Sequence, residues 1–113
     1  MRRIYKLLDA ASWNAARTAG VFKGSAVDER DGFIHLSGAD QAQQTARLYF
    51  KGQLDLVLLT VDADRLGEAL KWEPSRGGAL FPHLYGALPV DAVIEARVLE
   101  LDADGEPRLG PLS

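Results

Sequence analysis

The chain has 113 residues, 47% of them apolar or aromatic, which suits one compact domain with its own core and leaves no room for two. It contains no cysteine, so disulfide scaffolds, thiol catalysis, iron–sulfur clusters and cysteine-based zinc sites are excluded. Thirteen basic and sixteen acidic residues give a net charge of -3 without any run of like charge, which argues against duplex nucleic acid as a partner.

With no repeat or linker, a single domain over residues 1–113 is expected, with a loose tail at 109–113. Arg3 to Leu8 reads as a first strand, and Asp9 caps a helix from Ala10 to Ala19 that Gly20 stops. Val21 to Arg30 reads as irregular or weakly extended, and Asp31-Gly32 turns the chain into an extended Phe33-Ile34-His35-Leu36-Ser37. A second helix is expected from Asp40, with Gln43 completing a capping box, Ala42, Ala46, Tyr49 and Phe50 forming its apolar stripe, and Gly52 ending it. Leu56 to Val61 is an unbroken apolar run, the mark of a central strand buried on both faces. That run is too short to span a bilayer, and residues 1–4 lack the apolar stretch of a signal peptide, so no membrane partner and a cytoplasmic location are expected.

Ala69 to Glu73 is a further strand, followed by a glycine loop around Arg76. Pro82 has no N–H for a ladder, so Phe81 to Gly86 is expected as an edge strand or ordered loop. Pro89 opens a helical turn, Val93 to Leu101 is a strand with a bulge near Val98, and Asp102 to Gly105 is a hairpin turn. The whole predicts an α+β domain with two main helices and a mixed, mainly antiparallel sheet.

The chain's two histidines sit in matching segments, Phe33-Ile34-His35-Leu36-Ser37 and Phe81-Pro82-His83-Leu84-Tyr85. Alternation puts Phe33, His35 and Ser37 on one face of the first, and Phe81, His83 and Tyr85 on one face of the second. Side by side, the two segments would line a cleft with rings, imidazoles and hydroxyls suited to a planar or phosphorylated ligand. Taken singly, each histidine also fits a half-buried strand in which it bonds backbone or a neighbouring hydroxyl. Arg76 beside Gly77 and Gly78 could clamp an anion in a guanidinium fork, or stand as a solvated loop charge. Trp72 could stack on a ring or belong to the core. Glu73 is the carboxylate best placed for chemistry. Ser37 leads into the second helix, whose N-terminus could hold an anion or be mere helix punctuation. A metal triad of His35, His83 and Glu73 has no spacing signal behind it.

The two histidine segments, together with Trp13, the run 56–61 and Lys71-Trp72-Glu73, resemble a mainly bacterial family known as domain of unknown function 952. The resemblance spans nearly the whole chain. It implies the ADP-ribosyltransferase-like fold, a split sheet with flanking helices whose members bind NAD or related nucleotides, and it puts His35 where other members stack a tyrosine on nicotinamide. In the first strand Lys6 stands where many relatives carry histidine.

Two functions follow as expectations. One is a nucleotide-handling enzyme of ADP-ribosyl- or phosphotransferase type: His35 and Tyr85 contact a ring of NAD or ADP-ribose, Arg76 and Lys6 contact phosphate, and His83 or Glu73 acts as acid or base. For ribosyl transfer, Glu73 would supply the charge facing an oxocarbenium-like transition state. The other is a binding or regulatory module that uses the same cleft without turnover.

Overall fold

A computed structural model describes residues 2–112. The strands are β1 (Arg3–Asp9), β2 (Val21–Phe22), β3 (Ile34–His35), β4 (Leu56–Asp62), β5 (Leu70–Pro74), β6 (Leu80–Leu84), β7 (Leu88–Pro89) and β8 (Val93–Val98). The helices are α1 (Ala10–Ala19), α2 (Ala26–Asp31) and α3 (Ala42–Tyr49). The strands form sheets in the orders β1-β4-β8, β3-β6-β5 and β2-β7. Every pairing between these strands is antiparallel, so the fold is α+β with no parallel pair among the described strands.

The first two sheets meet at one point. Tyr5 and Ser37 exchange both backbone hydrogen bonds, each 2.8 Å, and beyond that bridge β1 and β3 part. The result is a split sheet.

The apolar run at 56–61 becomes the middle strand of its sheet and is covered on both sides. One core packs Ile4, Leu8, Val57, Leu59 and Val61 against Trp13 and Ala16 of α1 and against Ile34, Leu36, Leu84 and Leu88. The other packs Tyr5, Leu7, Leu56 and Leu58 against Ala42 and Ala46 of α3, Leu99 and Leu109. Asp9 caps α1 by accepting from the Ser12 N–H at 2.9 Å, and Gly20 closes it in the left-handed conformation at φ 86°.

Several expectations are corrected. Val21 to Arg30 is ordered: it holds β2 and then α2, started by a capping box between Ser25 and Asp28. The inward residue of α2 is Asp28, a charge, so no apolar period announces this helix. No capping box joins Asp40 to Gln43: α3 begins at Ala42, Gln41 Oε1 accepts from the Gly38 N–H at 2.9 Å, and Gln43 donates to Pro107 O.

The segment holding Pro82 is no edge. β6 runs between β3 and β5, and Pro82 O accepts from the Leu36 N–H at 3.0 Å. A residue's N and C=O point to the same side of a strand, so the donorless nitrogen faces Leu36, one residue past the end of the short β3. The bulge lies not near Val98 but where Val61 pairs Val93 and Thr60 pairs Glu95. The tail is not loose either: Leu109 is 1% exposed and Leu112 packs beside it, while Ser113 lies outside the described residues.

Leu59→Ala, at the fully buried centre of β4, should lower unfolding free energy by about 2–5 kcal/mol. Leu54→Ala, at a side chain 80% exposed, should stay within about 0.5 kcal/mol. Urea midpoints check both, and equal losses would contradict the two-sided core.

Candidate functional site: a paired-histidine cleft

The cleft opens where the sheet splits. Since the N–H and C=O of Tyr5 turn toward Ser37, strand alternation turns those of Leu7 the same way, into the gap, where no strand pairs them. Its floor depends on a buried carboxylate. Asp28 accepts from Lys6 Nζ at 3.1 and 3.3 Å, from the Ser25 N–H at 2.9 Å, from the His35 N–H at 3.1 Å and from His35 Nδ1 at 2.6 Å. Burial pushes the Asp28 carboxyl up, but the Lys6 ammonium and the hydrogen bonds from Ser25 and His35 outweigh it and hold it below its ordinary 3.8. Burial likewise pulls Lys6 below its ordinary 10.5, against the opposing pull of Asp28. Lys6 completes its three donors with His35 O at 2.9 Å.

His35 is fixed on its other side too. Its Nε2 meets Asp31 Oδ2 at 2.9 Å, and hydrogen bonds to Asp31, first from Arg30 and then from His35, hold that carboxyl below its usual range. Both ring nitrogens of His35 are therefore occupied by carboxylates.

The β3–β6 register pairs His35 with His83 directly, with ring centroids 5.8 Å apart and edge-on. Phe33 stacks on His83 at 4.0 Å and lies 4.6 Å from His35 and 5.3 Å from Tyr85. Behind His83, Glu73 Oε1 accepts from His83 Nδ1 at 2.9 Å and from the Tyr85 hydroxyl at 2.6 Å. The hydrogen bond from Tyr85, then that from His83, holds the Glu73 carboxyl low, while the bond to Glu73 pushes Tyr85 up.

A carboxylate only accepts, so Nδ1 is the protonated nitrogen of His83, and in the neutral ring Nε2 keeps its lone pair. Among the described residues no protein group partners Nε2. Every buried side-chain nitrogen and oxygen among the described residues has a partner, so this nitrogen keeps some contact with solvent, and His83 lines the open cavity.

That cavity holds about 590 Å³ and is bounded by His35, His83, Ser37, Phe81 and Arg76 among others. Ser37 Oγ lies 3.3 Å from Thr45 Oγ1, which also accepts from Arg76 at 3.2 Å. Arg76 donates besides to Gln44 Oε1 at 3.3 Å, and its guanidinium lies 4.9 Å from the centre of the Phe81 ring. No carboxylate among the described residues pairs with Arg76, so its charge is uncompensated at the cavity wall.

His35, His83, Ser37, Arg76 and Lys6 thus line one cavity. Others depart from expectation. Lys6 has no donor left for a phosphate and instead fixes Asp28 and His35. Glu73 and Tyr85 do not line that cavity, and Glu73 bonds His83 Nδ1 instead. Trp72 points to the opposite face of β5, where Arg2 lies 4.1 Å over its ring and Leu80 and Gln41 line a separate depression. Among the described residues no three histidines or carboxylates are arranged for a metal, and His83 and Glu73 bond each other directly.

Asp28, Asp31 and Thr45 belong to the site but are not among the residues expected there from the sequence. For Asp28 a signal existed in the spacing Ser25-x-x-Asp28, a helix-start pattern. Thr45 carries no such signal, because it is reached only through the fold.

Fold and cleft together define a small α+β domain whose split antiparallel sheet opens over two paired imidazoles. Residues 7–96 match the family described as "Protein of unknown function (DUF952)", and the chain belongs to that family. It is similar to protein CC0527 of Caulobacter crescentus, whose crystal structure is 60% identical over 95% of this chain and 94% of that one, with a TM-score of 0.92. The solution NMR structure of CC0527 gives 60% identity over 97% and 95%, with a TM-score of 0.88. No curated protein matches the chain.

Because the folded Asp28 carboxyl lies below its unfolded value, its contribution to stability is complete above pH 3.8 and is lost as pH falls through the folded value. Thermal midpoints should therefore drop steeply with acid below that pH, and Asp28→Asn should flatten the slope. Asp28→Ala, which strands the Lys6 ammonium, should cost about 3–5 kcal/mol at neutral pH. Parallel pH slopes for wild type and Asp28→Asn would contradict this account.

Proposed function

We propose that the cleft binds a small anionic ligand bearing a flat ring, of the NAD, ADP-ribose or mononucleotide class, and that His83 exchanges a proton with it. The observation that carries this reading is the open Nε2 of His83 in the same cavity wall as the carboxylate-free Arg76. Arg76 takes the anion in its fork, with the Ser37 hydroxyl as a further donor. Glu73 holds His83 in one tautomer, and Tyr85 holds Glu73, so Nε2 meets the ligand as a base or, once protonated, as an acid. The free backbone edge at Leu7 offers a donor and an acceptor to a planar amide or base. A cleft in the gap of a split sheet also agrees with the ADP-ribosyltransferase-like fold that the family resemblance implies. Phosphoryl or acyl chemistry assisted by His83 fits these residues better than ribosyl transfer, because Glu73 does not line the cavity.

One observation favours the second reading, a binding module without turnover: Ser37, the hydroxyl beside the imidazole pair, bonds Thr45 and not a histidine, so it is not paired as an activated nucleophile.

The test is an NMR titration that follows the His35 and His83 ring protons against NAD, ADP-ribose and AMP, with mass spectrometry of the mixtures. Binding of one of them should shift the His83 signal, and Arg76→Ala should weaken it roughly 10- to 100-fold, the loss of one or two charge-assisted hydrogen bonds. His83→Ala should leave binding within about tenfold while removing any product. No shift with any of the three ligands overturns the nucleotide reading. Binding without product selects the module.

A further inference from the structure

Resting on the reading that the cleft binds an anion with a flat ring, we propose that the ring is a nucleobase stacked on Tyr49 at the end of α3. Its anionic group then lies on Arg76 and its polar edge on the Gln53 amide.

The inward face of α3 carries an anomaly. Ala42, Thr45, Ala46 and Tyr49 fall at i, i+3, i+4 and i+7 and so share one side of the helix. Ala42 and Ala46 are fully buried there against Tyr5, Leu7, Leu56 and Leu58. Tyr49 continues the same stripe yet is 66% exposed. Phe50, the next residue, does pack against that core, so the helix end is seated and the tyrosine ring alone is left out. Tyr49 lines the open cavity instead. A large ring at an inward position that faces a cavity forgoes burial and presents an aromatic surface on which a flat ligand can stack.

The neighbours of that ring define what stacks on it. Arg76 donates to Thr45, one helical turn before Tyr49, and its guanidinium lies 6.0 Å from the centre of the Tyr49 ring. An anion held in the guanidinium fork therefore leaves a group attached to it beside Tyr49. Past the helix end, the Gln53 N–H donates to Phe50 O at 3.1 Å and Gly52 turns the chain at φ 84°. The Gln53 side chain lines the same cavity, and its amide bonds no other group among the described residues. An amide sets an acceptor beside its donors, which complements the edge of a nucleobase and not that of a hydrocarbon ring. The aromatic residues expected on a ring from the sequence are less open. Tyr85 does not line the cavity, both nitrogens of His35 meet carboxylates, and Phe33 covers one face of His83.

AMP, the smallest ligand with both anion and base, tests the proposal by NMR. Intermolecular cross-peaks should join its adenine protons to the Tyr49 ring and not to Tyr85. Tyr49→Ala should weaken AMP roughly 5- to 100-fold, the loss of one stacked base. The same variant should bind ribose 5-phosphate, an anion without a base, as wild type does. Because the side chain is exposed, its melting temperature should match wild type, which separates lost stacking from lost fold. Tyr49→Phe keeps the aromatic face and should bind AMP within about twofold of wild type. Gln53→Ala should cost AMP roughly 2- to 10-fold, one hydrogen bond. AMP that binds Tyr49→Ala as it binds wild type, or adenine cross-peaks to Tyr85, overturns the stacking site and leaves the cleft reading in place. Undiminished AMP binding by Gln53→Ala overturns the assignment of the base edge. No binding of AMP overturns this inference, and no binding of NAD, ADP-ribose or AMP overturns the cleft reading as well.

Discussion

A buried carboxylate needs donors on every side, and the way Asp28 obtains them organises this molecule. It sits in α2, yet its partners come from β1, from the loop before α2 and from β3, so a buried charge acts as the knot that joins β1, 22 residues away in sequence, to the α2–β3 segment. Removing any one donor would leave the others facing an under-satisfied charge. The cluster therefore specifies where β3 lies relative to β1 more narrowly than apolar packing alone would do. Since β3 carries His35 and pairs with the strand carrying His83, the position of the whole imidazole pair follows from that knot.

The split in the sheet has a related origin. Among the described residues a single backbone bridge, Tyr5 to Ser37, ties the two half-sheets, because the chain leaves Ser37 for the turn that starts α3. Gln41 satisfies the Gly38 N–H within that turn, and Gln41 Nε2 reaches across to Leu80 O at 2.7 Å, tying the turn to β6. A continuous ladder would have filled the gap between β1 and β3. The turn prevents it, and the cavity occupies the resulting space, with the unpaired edge of β1 on one side and Arg76, held by α3, on the other. The opening is thus built into the connection between elements, and does not result from poor packing of apolar side chains.

How much of this was legible in the sequence depended on what each segment used as its signal. β4 and α1 announced themselves through an apolar run and through Asp9 and Gly20, which are local cues. The faces of the two histidine segments followed from strand alternation, and the register that sets His35 against His83 agrees with that reading. α2 was hidden because its inward residue is charged, and β6 was misplaced because a proline rule that holds for full ladders relaxes where the neighbouring strand stops at His35. Lys6, expected on a phosphate, is taken instead by Asp28 and the His35 carbonyl, through three-dimensional contacts that the spacing of residues does not encode.

The matching segments conceal an asymmetry that bears on function. In sequence, His35 and His83 look interchangeable, each flanked by an aromatic residue and a hydroxyl two positions either side. In space, both nitrogens of His35 meet carboxylates, from Asp28 and Asp31, whereas His83 meets one carboxylate at Nδ1 and leaves Nε2 to the cavity. A ring bound at both ends is a structural cross-brace, and breaking either bond to reach a ligand would uncover a carboxylate. A ring bound at one end, with its tautomer fixed by Glu73 and its plane fixed by the Phe33 stack, meets the geometric requirement for proton exchange. The two imidazoles therefore differ in what they leave free: His35 is bonded at both nitrogens, and His83 keeps Nε2, the atom on which the proposed proton exchange rests.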